Sequence, residues 1–272
     1  MSYADYARDV PLTLQVIIAV VLTAGISVGF VWIFHRRLLL IAQEPQREPD
    51  DPAPKPPTPE LLIERILQVI TFGFIFLFTF TMGQFIVNAR SAEASTQDEI
   101  VFYGRAITSA QDLPANSGRE ALLQSLERYA VIVSEQQWPL MESGDVEGAY
   151  RSQVEASTAV ADGIRAAQRA GAAEAASWEV FTTSVDGMLT AASDRLSTVP
   201  SRSAATLLLT VVILGVLSLA MTAVFLPVRL KLNLVLIGLM GATYGFLFYV
   251  VVELSNPFQG NGSIAPFDLF AP

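Results

Sequence analysis

The sequence has little of what most enzymes and metal sites require. It contains no cysteine and a single histidine, His35, and 16% of its 272 residues are charged. The missing cysteines exclude disulfides, thiolate catalysis, iron–sulfur clusters and c-type haem attachment. A His-based metal site or a Ser-His-Asp triad would have to centre on His35. We therefore expect no catalytic residue, no cofactor and no metal ligand, and so a protein that is not an enzyme.

The charge balance also narrows the class of partner. The formal net charge is −9, from 17 basic and 26 acidic residues, whereas contacts with nucleic-acid phosphates need clustered basic residues. We therefore expect no nucleic-acid partner. Soluble domains usually carry about a quarter charged residues, and this chain carries far fewer. The composition therefore predicts an integral membrane protein, whose first partner is the lipid bilayer.

Four apolar segments are long enough to cross about 30 Å of hydrocarbon as helices. They are Leu12 to Phe34, Leu61 to Val87, Ala204 to Leu226 and Leu232 to Leu254. The flank before the first segment is acidic, and no small-residue cleavage site follows it, so we expect a retained span rather than a signal peptide.

Basic residues beside these segments predict their orientation, because Lys and Arg concentrate on the cytoplasmic side. The anchors are Arg36 and Arg37 after the first segment, preceded by His35, and Arg229 and Lys231 between the third and fourth. Both termini and residues 89–202 are then outside. Arg outnumbers Lys by 15 to 2, which is typical of a GC-rich bacterial genome, so we expect a multi-pass protein of a bacterial inner membrane with its outer face in the periplasm.

Residues 45–59 contain seven prolines and should lie extended as polyproline II. They form most of a predicted cytoplasmic linker, residues 36–60. The segment is interpreted as a semi-rigid strap between two spans, and a docking segment for a partner is the alternative.

Helical spacing of apolar residues marks four helices within residues 89–202, where 16 acidic residues and 9 arginines give a net charge of −7. The first continues the second span outward. The second begins near Ser117, and we expect Pro139 and Gly144 to break it; the third covers about 146–169, and the fourth runs from Trp178 to Leu196. One face of the second helix should be buried, and it carries Leu122, Leu126, Tyr129, Ala130, Val133 and Gln137. Trp138 and Trp178 should lie in the core.

The predicted fold is therefore all-α, with four transmembrane helices and an up-and-down four-helix bundle inserted between spans two and three. The expected regions are 1–35, with the first span, the linker 36–60, the second span 61–88, the bundle 89–202, the hairpin of spans three and four 203–254, and the tail 255–272. That tail is rich in turn residues but carries Phe258, Ile264, Phe267, Leu269 and Phe270. These side chains should pack against the bundle, lie at the membrane interface, or be buried in a partner.

Three sequence patches, in this order, carry a family resemblance. They are ERYAVIVSEQQWPLM (127–141), DRLSTVP (194–200) and ELSNPFQGNGSIAPF (253–267). Together with the arrangement of two spans, a helical domain and two further spans, they resemble the bestrophin-like (DUF4239) membrane proteins of bacteria and plants. The resemblance implies this architecture, and its name implies kinship to anion channels.

Two features of the spans are candidate interfaces. At 100° per residue, Phe72, Phe76 and Phe80 form one stripe, which would gate a pore by dewetting in an oligomer or contact neighbouring helices, lipid or an apolar ligand. Gly25-x-x-x-Gly29 and Gly241-x-x-x-Gly245 allow helices to approach closely, either within the chain or between chains. Phe258, Phe267 and Phe270 of the tail are further interface candidates.

These features leave three functions open. The first is a non-catalytic accessory subunit that stabilises a larger bioenergetic membrane assembly, with other membrane subunits or further copies of the chain as partners. The second is a homo-oligomeric anion channel, although no basic residue lies in the centre of a span. The third is a periplasmic ligand sensor, which would need a partner because the cytoplasmic segments are short.

Overall fold

A computed structural model describes residues 12–42, 59–115, 117–199, 202–225, 230–258 and 264, with side chains over 14–33, 65–115, 118–199, 206–222, 234–258 and 264. Within these ranges the chain is all-α and no residue lies in a strand. The α-helices are α1 Leu12–Ala42, α2 Pro59–Gln111, α3 Ser117–Val131, α4 Trp138–Ser143, α5 Val146–Arg169, α6 Trp178–Ser197, α7 Arg202–Phe225 and α8 Leu230–Ser255. A π-helical segment, Ile132–Gln137, joins α3 to α4.

Three of the helices are apolar and long enough to cross a membrane. The stretches are Leu14–Ile33 in α1, Arg65–Gln111 in α2 and Leu234–Ser255 in α8. The described part of α7 gives a shorter apolar stretch, Thr206–Thr222. A membrane protein is therefore supported, with three such helices among the described residues where the sequence predicts four spans.

Two helix boundaries extend into the predicted linker. Helix α1 continues past residue 35 to Ala42, because the residues after the Arg pair are apolar helix formers (LLLIA). Helix α2 begins at Pro59, since proline is tolerated in the first helical turn, where its missing N–H has no partner to lose. The rest of the proline-rich strap lies outside the described residues.

The chain divides into two compact units, which we call the apolar unit and the bundle unit. The apolar unit comprises residues 9–84 and 202–252, and the bundle unit comprises residues 1–8, 85–201 and 253–272. Helix α2 passes from one to the other at Phe85, so the predicted second span continues without a break into the first helix of the bundle.

Helix α8 packs closely on α1 in the apolar unit through its two small-residue positions. A Cβ placed on Gly241 would lie 2.5 Å from Oγ of Ser27 and 3.0 Å from Cα of Ala24. A Cβ on Gly245 would lie 2.7 Å from the carbonyl oxygen of Ala19. The second glycine motif is therefore used within the chain, as small residues are in membrane helix packing.

Hydroxyl groups and aromatic rings connect α2, α7 and α8 in the same unit. The Oγ atom of Ser218 lies 3.1 Å from Oγ1 of Thr71 and 3.3 Å from the hydroxyl of Tyr244. Phe74 is buried, with its ring centroid 4.9 Å from that of Tyr244. Hydrogen bonds of this kind contribute about 1 kcal/mol each in a membrane, so packing supplies most of the stability.

The bundle unit has a continuous core to which all four predicted helices contribute. The predicted buried face of α3 is confirmed, since Leu122, Leu126, Tyr129, Ala130, Val133 and Gln137 are all buried. Phe181, Val185, Ala192 and Leu196 of α6 are buried against the same core, with Trp178 partly buried beside them. Trp138 is buried as predicted.

The expected break at Pro139 is wrong, because the helical path continues through this residue. The N–H of Trp138 donates to the carbonyl oxygen of Val133, a π-type bond across five residues. The widened turn of the π segment gives room for the proline ring, which would clash with the carbonyl of residue i−4 in a regular α-helix. The helix ends instead at Gly144, whose φ of 75° favours glycine.

Candidate functional site

The three sequence patches meet in the core of the bundle unit. The first contributes Tyr129, Gln137, Trp138 and Met141 from the α3–α4 helix, the second contributes Arg195 from α6, and the third contributes Asn256 and Phe258 after α8. Glu99 of α2 completes the group, which we call the buried network. Segments far apart in the sequence therefore share one site.

An ion pair forms the centre of the buried network. Nε of Arg195 donates to Oε2 of Glu99 at 2.7 Å, and Nη2 donates to Oε1 at 3.1 Å. Arg195 is 0% exposed and Glu99 is 1% exposed. This bidentate geometry is the strongest arrangement for an arginine and a carboxylate, and it connects α6 to α2 without contact with solvent.

Gln137 extends the network to a third helix. Its Oε1 atom accepts a hydrogen bond from Nη2 of Arg195 at 2.7 Å. Its Nε2 atom donates to the carbonyl oxygen of Ala149 at 3.2 Å and to Oε1 of Gln153 at 2.8 Å, both on α5. The amide thus uses both of its ends, and it fixes the π segment between α5 and α6.

Tyr129 contributes a neutral donor to the carboxylate. Its hydroxyl donates to Oε1 of Glu99 at 2.7 Å. Burial raises the pKa of the Tyr129 hydroxyl well above its ordinary value, and the charge of Glu99 raises it further, while Arg195 acts in the opposite direction. The phenol therefore stays protonated and serves as a hydrogen-bond donor.

The segment after α8 contacts the network through the amide of Asn256 and the ring of Phe258. Nδ2 of Asn256 donates to the carbonyl oxygens of Met141 and Glu142, at 3.2 and 3.3 Å, in the last turn of α4. These are carbonyls that a helix end leaves without partners. The ring of Phe258 meets Trp138 edge to face, with centroids 5.6 Å apart, and the Arg195 guanidinium lies 5.1 Å from the ring centre of Trp138.

The ion pair has hydrogen-bond partners on all sides, whereas Nε1 of Trp138 is a buried donor without a hydrogen-bond partner among the described residues. Arg195 also donates from Nη1 to Sδ of Met141 at 3.2 Å, so each guanidinium nitrogen has an acceptor and both carboxylate oxygens of Glu99 are paired. The described residues include no group of three or more His, Cys, Asp or Glu side chains suited to hold a metal ion. Buried polar networks of this kind rigidify a core and specify its packing.

Comparison with known proteins identifies the family of the chain. The family model for the bestrophin-like domain matches residues 28–269, which is most of the sequence and includes every member of the buried network. The chain belongs to the bestrophin-like family. A search of curated proteins finds no match, and neither does a search of solved structures.

The interface candidates of this bestrophin-like chain fall into two groups. Gly241 and Gly245 contact α1 within the chain, as described above, whereas Gly25 and Gly29 have nothing within 4 Å of an added Cβ. Three outward-facing side chains of α2 are exposed, and these are Phe72, Phe76 and Phe80. The structure does not bring these residues to the buried network.

The structure describes two of the apolar tail side chains, which were predicted to pack against the bundle, lie at the membrane interface or be buried in a partner. Phe258 is buried in the bundle core and Ile264 packs against this core. Phe267 and Phe270 lie outside the described residues, and so do the side chains of the topology anchors Arg36, Arg37, Arg229 and Lys231.

The sequence analysis missed the ion pair of Glu99 and Arg195. A signal for it exists in the helical spacing. Glu99 falls in register with Ala92, Tyr103, Ala106 and Ala110 on the buried stripe of α2, and Arg195 falls in register with Val185, Met188, Ala192 and Val199. Opposite charges at core positions of two helices of one bundle indicate a buried pair, because an unpaired charge there would cost several kcal/mol, on the order of 3–5.

Proposed function

We propose that this bestrophin-like protein is a non-catalytic accessory subunit that stabilises a larger assembly in a bacterial inner membrane. In this proposal the four apolar segments span the bilayer, with residues 89–202 and both termini on the periplasmic side. The protein acts through buried contact area, and stable protein interfaces bury on the order of 1,000 Å² or more.

One observation carries the proposal: α1 and α2 each leave an interface-type surface uncovered. None of the described residues lies within 4 Å of a Cβ added to Gly25 or Gly29 of α1, although the matching motif on α8 is used within the chain. The aromatic stripe of α2 is exposed, with Phe72 at 74% and Phe76 at 73%. Small residues let membrane helices approach one another closely, and aromatic rings offer a large contact area to a neighbouring helix.

The buried network supports the same function. Its hydrogen bonds join α2, α3, α4, α5 and α6 of the bundle and attach the segment after α8 to the last turn of α4. A rigid bundle of this kind suits a subunit whose partners must recognise a fixed shape, since preorganisation lowers the entropy cost of association.

The test is the native mass of the protein extracted from its own membranes in a mild detergent. A heteromeric species that retains the chain through purification is expected. The triple variant Phe72→Ala, Phe76→Ala, Phe80→Ala should reduce retention. The matched control removes three exposed apolar side chains of α7, with Leu209→Ala, Ile213→Ala and Val216→Ala. A monomeric wild type, or equal losses in the two variants, would contradict the proposal.

A homo-oligomeric anion channel is the second candidate, and membership of the bestrophin-like family favours it. Anion conduction needs positive charge or donors along the route. Among the described side chains of the apolar unit, Arg65 is the only charged one. A cavity of about 250 Å³ in that unit is almost wholly apolar, lined by residues such as Ile26, Phe30 and Val216. The pure protein in liposomes should therefore give no anion current, and a chloride conductance from a homo-oligomer would favour the channel instead.

A further inference from the structure

A cavity of about 280 Å³ lies in the bundle unit between α2 on one side and the last turn of α8 with the segment that follows it on the other. Most of its wall is apolar and includes Ile86, Leu254 and Ile264, and three charged residues also line it: Arg90, Glu93 and Glu253. We call it the interface cavity. The cavity lies beside the buried network and shares one residue with it, Asn256.

We propose that the interface cavity binds the headgroup of a zwitterionic phospholipid that carries a primary ammonium group, as phosphatidylethanolamine does. The inference rests on the membrane placement in the proposed function, in which Ile86 and Leu254 lie at the outer ends of the second and fourth apolar segments. Lipid phosphate and glycerol groups occupy this depth of a bilayer, just outside the hydrocarbon.

The charges in the cavity select for that headgroup. Arg90 offers the planar donor set that matches a phosphate, and Arg90 and Glu93 share one helical face at a spacing of three residues. Glu93 already accepts a hydrogen bond from Nε2 of Gln97 at 3.5 Å. Because an ionised carboxylate has about four acceptor positions, Glu93 and Glu253 can each accept a further bond from an ammonium group, which has three N–H donors. Together the three side chains carry a formal charge of −1, which disfavours an anionic lipid, and a choline headgroup has no N–H to donate.

The size of the cavity agrees with a headgroup rather than a whole molecule. Its volume is at the lower end of small-ligand pockets, which start at about 300 Å³. The apolar wall formed by Ile86, Leu254 and Ile264 suits the glycerol and the first methylenes of the acyl chains. The segment of residues 256–258, fixed to α4 and Trp138, holds one side of this wall in place.

The experiment is native mass spectrometry of the delipidated full-length chain with an equimolar mixture of dioleoyl phosphatidylethanolamine, phosphatidylcholine and phosphatidylglycerol. We expect phosphatidylethanolamine adducts to exceed each of the others. Arg90→Ala should reduce these adducts about tenfold, the equivalent of one charged hydrogen bond. Arg105→Ala is the control, because Arg105 is an exposed arginine of the same helix that does not line the cavity.

The double variant Glu93→Gln, Glu253→Gln separates the role of the carboxylates from that of Arg90. It should bring phosphatidylglycerol up to the level of phosphatidylethanolamine. Equal retention of all three lipids by the wild type, preference for phosphatidylglycerol, or an equal effect of Arg105→Ala would overturn the inference. Because the measurement uses purified protein, its outcome is independent of whether the chain is retained in a larger assembly.

Discussion

At the scale of single residues, the fold depends on a charge pair that has no access to water. Replacing Arg195 with Met leaves the Glu99 carboxylate buried without its main partner. We expect a loss of about 3–5 kcal/mol in the free energy of unfolding, measured by denaturant titration in detergent. The control is Arg151→Met, since Arg151 forms an exposed i,i+4 pair with Glu147 and such pairs contribute less than about 1 kcal/mol. Similar losses in the two variants would contradict a buried pair.

Tyr129 should make the free energy of unfolding depend on pH in the alkaline range. Its pKa is raised in the folded protein, so the unfolded chain loses this proton at a lower pH than the folded chain does. The stabilising contribution is therefore complete below the unfolded pKa of about 10, and it is lost as the pH rises above that value. The free energy of unfolding should fall between pH 9 and 11 more steeply in the wild type than in Tyr129→Phe.

The exposed tyrosine Tyr150 provides the comparison for this pH experiment. Tyr150→Phe is the matched control, because the hydroxyl of Tyr129 donates to Glu99 and Tyr150 lies outside the buried network. Tyr129→Phe should change the slope more than Tyr150→Phe does. If Tyr129→Phe keeps the wild-type slope, the phenol does not report on the network.

At the scale of helices, the two glycines Gly144 and Gly104 should respond in opposite directions to the same substitution. Gly144 ends α4 with a φ of 75°, which costs a residue with a side chain roughly 1–2 kcal/mol. Gly104 lies two turns before the end of α2 with nothing within 4 Å of an added Cβ, so alanine should stabilise there by about 0.5–1 kcal/mol. Thermal unfolding of Gly144→Ala and Gly104→Ala measures both, and a shift of the same sign in the two variants would contradict these helix assignments.

Much of the helical architecture could be predicted from the sequence because apolar residues recur at helical spacing. The pattern from Leu122 to Gln137 identified the buried face of α3, and Gly144 and Gly171 mark helix ends with positive φ. The passage of the helix through Pro139 could not be predicted, since it depends on a π segment whose formation requires the surrounding core. The partner of Glu99 is 96 residues away, so no local pattern identifies it.

At the scale of the whole molecule, the motifs that carry the bestrophin-like resemblance share one structural role. Each patch supplies side chains to one core, and the last patch lies after α8, so the segment at 256–258 is part of the bundle unit. The described residues of these motifs include the contacts that attach this segment to the bundle.

Some of the predicted interface residues make contacts within the chain, and others are exposed. Phe258, Gly241 and Gly245 were candidates for a partner interface, and in the structure they make contacts within their own units. The stripe of Phe72, Phe76 and Phe80 and the Gly25–Gly29 face are the candidate contact surfaces of the proposed assembly. An assembly that uses them should tolerate changes in the bundle surface, such as Val154→Ser, without loss of retention.

Thiol labelling at position 258 tests most directly the central claim that the segment after α8 is locked into the bundle core. The chain has no cysteine, so Phe258→Cys and the exposed control Val154→Cys each give a single reactive site. We predict that a water-soluble maleimide labels Cys at 258 about 100-fold more slowly, because reaction requires opening of the core. Adding Trp138→Ala should accelerate the reaction at 258. Equal rates at the two positions, or a slow rate at 258 that Trp138→Ala leaves unchanged, would contradict the account.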